Sequence, residues 1–142
     1  MADQSHSGEA RLVRSEARFR PSDFSEVIAK LPKDCSLIGG QAVALWAERY
    51  GLRGDNGEAV TSADIDFWGS RGDLIRMAKA LQRKAVFPHE YEMTVWVGAI
   101  PLRIHGRNTL VEFLHTVPGL LLRKIRHSAN AKSFLPMPRL RH

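Results

Sequence analysis

The sequence predicts an α+β protein, a mixed sheet with helices packed on it. Three observations carry this. Segments of helical and strand periodicity alternate in the order α-β-α-β-α-β-β-β, which suits such a sheet. A length of 142 residues suits one domain with one core. A composition 44% hydrophobic and 25% charged is that of a globular chain.

Residues 1–20 are polar and aperiodic, and are expected to be a disordered leader. The domain is expected over 21–117. "PSDFSEVIAKLP" places Phe24, Val27, Ile28 and Leu31 on one helical stripe, with Asp23 and Glu26 as a capping box and Pro32 as the stop. "CSLIGG" reads as a short strand ending in two glycines. "QAVALWAERYG" reads as a helix with Ala42, Leu45, Trp46 and Arg49 on one face and Gly51 as its C-terminal cap. Residues 52–62, "LRGDNGEAVTS", are a loop. "ADIDFW" is a strand and "RGDLIRMAKALQRK" a helix with Leu74, Met77, Ala78 and Leu81 as its stripe. "YEMTVWVGAI", "LRIHG" and "TLVEFLHTV" read as three more strands.

Charge is unevenly placed. Of 21 Lys/Arg and 15 Asp/Glu, residues 1–117 hold 15 basic side chains and all 15 acids. Residues 118–142 hold the other six basic side chains and form a basic tail, a candidate contact for an RNA backbone. No apolar run approaches the ~20 residues of a membrane helix, so no membrane partner is expected. One cysteine, Cys35, gives no internal disulfide framework and points to the cytoplasm. The six histidines show no zinc spacing, and no Walker Lys-Ser/Thr follows the glycines. Trp46, Trp68 and Trp96 are assigned to the core rather than to base stacking.

Asp64 and Asp66 stand out in the strand at 63–68. Alternation sends both to one face and Ile65 and Phe67 to the other. Two carboxylates so close stay ionised together only in water or beside a cation, and Mg²⁺ prefers such oxygen ligands. The spacing alone is unspecific, because Glu90 and Glu92 repeat it. Gly39 and Gly40 add to it. They end one strand and open a helix, where free backbone N–H groups and the absence of Cβ suit a phosphate. Glu112, among Leu110 and Leu114, is costly on such a strand unless paired or bound to metal.

Together, "LIGGQAVALWAERYG", "TSADIDFWG" and "VEFLHTVPGL" resemble the nucleotidyltransferase fold of the polymerase-beta-like superfamily, and more closely the AbiEii-type toxin nucleotidyltransferases. The resemblance spans about residues 34–120. It implies a nucleotidyltransferase-like core that moves a nucleoside monophosphate from an NTP to an acceptor hydroxyl on RNA or protein. Mg²⁺ is the implied cofactor, with Mn²⁺ as the alternative. Asp64, Asp66 and Glu112 would be catalytic metal ligands, Gly39 and Gly40 would hold the β and γ phosphates, and Ser62 would add a hydroxyl. A toxin role implies a cognate antitoxin.

The chain departs from the pattern in two ways. The third acid is Glu112 where aspartate is commoner. Only about 30 residues follow it, so 118–142 reads as a truncated helical region, with Lys124 the candidate match to a family lysine. Two alternatives stay open. One is an inactive or truncated remnant acting as a nucleotide-binding or interaction module. The other is an Asp-x-Asp glycosyltransferase using Mn²⁺.

Overall fold

The computed structural model describes residues 17–89 and 94–115. The expected tail at 118–142 lies outside them, as does most of the expected leader. A four-stranded mixed sheet carries the fold. Its strands are β1 (Ser36–Ile38), β2 (Ile65–Trp68), β3 (Trp96–Ile104) and β4 (Arg107–Leu114). They lie in the order β1-β2-β4-β3. β2 pairs antiparallel to β1 and parallel to β4, and β3 pairs antiparallel to β4. Three helices, α1 (Ser25–Ala29), α2 (Gly39–Tyr50) and α3 (Arg71–Leu81), complete the α+β architecture.

Alternation along β2 and β4 builds the core. Ile65 pairs with Val111 and Phe67 with Phe113, and all four are buried. The rings of Phe67 and Phe113 sit 5.6 Å apart, tilted at 47°. Leu74, Met77 and Ala78 of α3 join this core, as the stripe predicts, with Leu81 packed at its edge. Ser70 caps α3. Its hydroxyl accepts from the Asp73 N–H at 3.2 Å, and Asp73 Oδ2 accepts the Ser70 N–H at 2.9 Å.

Four expectations are corrected. First, the segment expected to be disordered over 1–20 is part of the fold at its described end, 17–20. Phe19 is fully buried, exchanges two backbone hydrogen bonds with Ser62, and stacks at a tilt 5.5 Å from Phe24. Burial of this one aromatic, the bridge to Ser62 and the Arg18 bond to the Thr61 carbonyl together hold the segment on the core. Second, the capping box of Asp23 and Glu26 is not formed. Pro21–Phe24 is a 3-10 turn, Asp23 Oδ2 accepts the Arg20 N–H at 2.7 Å, and Glu26 pairs with Lys30 at 3.3 Å.

Third, α2 buries Gln41, Ala44 and Ala47 rather than the face of Trp46 and Arg49. Small side chains let the helix approach closely, and the large ones point out. Trp46 is 43% exposed and stacks on Tyr50 at 5.7 Å, so it is no core residue. Fourth, the two strands expected over 91–100 and 102–106 are one, β3, which runs through Pro101; residues 91–93 lie outside the described residues. Proline is tolerated because β3 ends the sheet order, where a missing N–H costs no ladder bond. His105 and Gly106, with φ of 51° and 74°, make the two-residue turn into β4.

Candidate functional site

The register assembles the site. Asp66 of β2 pairs with Glu112 of β4, and Ile38 of β1 pairs with Asp66. Paired residues on neighbouring strands share a sheet face, so both acids lie opposite the core face of Phe67 and Phe113. Both are half-buried. Asp64 lies just before β2, which begins at Ile65, and is also half-buried. Each of the three acids engages another group of the chain. Among the described residues, no group of three or more His, Cys, Asp and Glu side chains is placed to hold a metal ion. The fold thus brings Asp66 and Glu112 side by side, with Asp64 immediately before the strand that carries Asp66.

The two glycines meet this site through contacts that need their missing side chains. Ile38 is extended, with φ −131° and ψ −178°, and Gly39 then turns with φ +68° into α2. A Cβ on Gly39 would stand 2.5 Å from Asp66 Oδ2, and one on Gly40 would stand 2.8 Å from Ser62 Cβ. Hence the Asp66 carboxylate lies against the first turn of a 12-residue helix, whose partial positive end favours an anion. The Ser62 hydroxyl sits 3.3 Å from the Gly40 Cβ position and donates to the Asp64 carbonyl at 2.9 Å. It is engaged locally and would have to rotate to reach a phosphate.

A residue absent from the sequence expectations sits beside them. Gln41, in the first turn of α2, is fully buried, and its Nε2 donates to the Phe19 carbonyl at 3.0 Å. The amide looked like an ordinary helix position. A polar residue straight after the glycines was the only signal.

Cys35, Ser70, Asp73 and Arg76 form a separate cluster. Burial pushes the Cys35 thiol up to about 12, helped by the neighbouring Asp73 charge. Burial also works to raise Asp73, but hydrogen bonds from Ser70, Cys35 and Arg76 outweigh it and hold the carboxyl below its usual range. This cluster fastens the start of α3 and holds an inert thiol.

Comparison with protein families finds no model that matches the chain, and comparison with curated proteins finds no significant relative. Among the described residues, no helix is long and apolar enough to cross a membrane.

Proposed function

We propose that the chain is a Mg²⁺-dependent nucleotidyltransferase with a nucleotidyltransferase-like core, moving a nucleoside monophosphate from an NTP to an acceptor hydroxyl. The observation that carries this is the pairing of Asp66 with Glu112, with the Gly39 backbone pressed against the Asp66 carboxylate. The donor set is all oxygen, which suits Mg²⁺ and also Mn²⁺. The missing Cβ of Gly39 is what lets the Asp66 carboxylate lie against the α2 terminus, where a metal held by it would stand beside the helix N–H groups. Asp66 and Glu112 would hold the metal, with Asp64 the further ligand that the sequence resemblance adds, and the metal when bound would offset charge on the attacking and leaving oxygens.

The chain's own residues divide the remaining work. Strands β2 and β4 hold Asp66 and Glu112 in fixed register, so the acids need little reorganisation. Gly39 and Gly40 would present the backbone N–H groups of the α2 terminus to the β and γ phosphates. Ser62 fixes the approach to Asp64 through its bond to the Asp64 carbonyl. An RNA or protein acceptor, a toxin role and an antitoxin partner rest on the sequence resemblance alone.

A second reading is a remnant of this fold that binds nucleotide without transferring it. Incubation with α-labelled NTP, Mg²⁺ and either total RNA or protein extract decides between them. Label should pass to one acceptor class and be lost in Asp66→Asn. Cation-dependent binding without transfer would support the remnant, and neither binding nor transfer would end both readings.

A further inference from the structure

We propose that Gln41 is a positioning residue that locks the segment carrying Ser62 and Asp64 onto the Gly39–Gly40 turn. The inference rests on the nucleotide-site reading above. Phe19 and Ser62 already exchange their backbone hydrogen bonds, Phe19 N to Ser62 O at 2.9 Å and Ser62 N to Phe19 O at 3.1 Å. Gln41 Nε2 reaches both of these carbonyls, at 3.0 Å for Phe19 and a long 3.5 Å for Ser62. One amide therefore ties α2 to both partners of the bridge.

The tie continues into the site. The Ser62 Cβ lies 2.8 Å from where a Gly40 Cβ would be, and the Ser62 hydroxyl holds the Asp64 carbonyl. Gln41, Ser62 and Asp64 thus form a chain of contacts from the helix terminus to the first of the expected metal ligands. Among the described residues the Gln41 Oε1 is buried without a hydrogen-bond partner. Burying an unsatisfied acceptor is unfavourable, and an apolar side chain would avoid it. The residue is thus costly to fold and useful for its two N–H donors. Both carbonyls keep their bridge bonds when the amide is removed, so loss of Gln41 should loosen the segment without unfolding the protein.

Gln41→Met keeps the length of the side chain and removes the donors. Backbone hydrogen exchange, melting temperature and Mg²⁺–ATP affinity are measured in the full chain and in this variant. The expected result is faster exchange at Phe19 and Ser62, unchanged protection at Phe67 and Val111, and affinity about tenfold weaker at a near-constant melting temperature. In Gln41→Glu, the defect relative to wild type should shrink as pH falls and the carboxyl regains a proton to donate. Wild-type exchange at Phe19 and Ser62 in Gln41→Met overturns the lock, as does loss of protection spread evenly over the core. A wild-type chain that ignores Mg²⁺–ATP removes the nucleotide reading, while the exchange pattern still decides whether the lock exists.

Discussion

Asp66 and Glu112 are register partners on the parallel strands β2 and β4, one residue from the Phe67–Phe113 pair that fills the opposite face. A parallel register sets the acids a strand spacing apart, roughly 4.8 Å between backbones. Slipping β4 by one residue would turn Glu112 into the core and Phe113 out of it. The core pair therefore enforces the acid pair, and packing energy maintains the site geometry.

That relationship predicts how the acids behave when neutralised. Asp66→Asn or Glu112→Gln removes one of two neighbouring like charges without touching the core. Each variant should fold and melt within a few degrees of the parent, since relief of the like-charge repulsion offsets part of the contacts that each half-buried carboxylate loses. The stabilisation that Mg²⁺–ATP gives the parent should vanish in both. Thermal melts with and without Mg²⁺–ATP check this, and a full ligand shift in either variant would count against its carboxylate as a ligand.

Gly39 and Gly51 separate strain from contact. Both adopt left-handed backbone, with φ of +68° and +65°, but a Cβ meets Asp66 only at Gly39 and open space at Gly51. Gly51→Ala should cost about 1 kcal/mol from backbone strain alone. Gly39→Ala should cost clearly more, about 2–3 kcal/mol, and abolish nucleotide binding because Asp66 must move. Urea titrations of the two variants compare them, and equal losses would show that the Asp66 contact carries nothing.

The Cys35–Asp73 cluster predicts sensitivity at both ends of the pH scale. Asp73 is held below its usual carboxylate range, so its contribution is present above pH 3.8 and lost as pH falls through the lower folded value. Cys35 is held up to about 12 from 9.0, so its contribution is intact below pH 9 and lost as pH rises towards 12. Asp73→Ala should remove the acid part and cost about 1–2 kcal/mol at neutral pH through the lost cap. Iodoacetamide should label native Cys35 slowly at pH 8, and rapid labelling would contradict the buried thiol.

Trp46 should tolerate loss. It is 43% exposed and leans on Tyr50 and Arg49 rather than on the core. Trp46→Ala should cost less than about 1 kcal/mol, against about 3–5 kcal/mol for Phe67→Ala at the centre of the sheet. Chemical denaturation of the pair checks the inverted order of two large aromatics.

Where a residue's environment is set by its near neighbours, the sequence was readable. The α3 stripe, the Gly51 cap and the inward Ile65 and Phe67 follow from local periodicity, and the structure shows each of them. Long-range relations were not legible. Which face of α2 is buried depends on what it lies against, and the close approach of Ala44 and Ala47 outweighs the larger area of Trp46. The burial of Phe19 depends on its bridge to Ser62, 43 residues away. Likewise Glu112 was singled out by its apolar neighbours, but its pairing with Asp66 is a property of strand order. Gln41 was missed because its partners, Phe19 and Ser62, come together only in the fold.

Calorimetric titration of Mg²⁺–ATP into the wild-type chain, Asp66→Asn and Glu112→Gln, each repeated with EDTA, tests the central claim most directly. The account predicts binding to the wild type only with the cation present, and affinity reduced at least about tenfold in both variants with their folds intact. Binding that is indifferent to EDTA and equal in all three proteins, or no binding to the wild type at all, would contradict it.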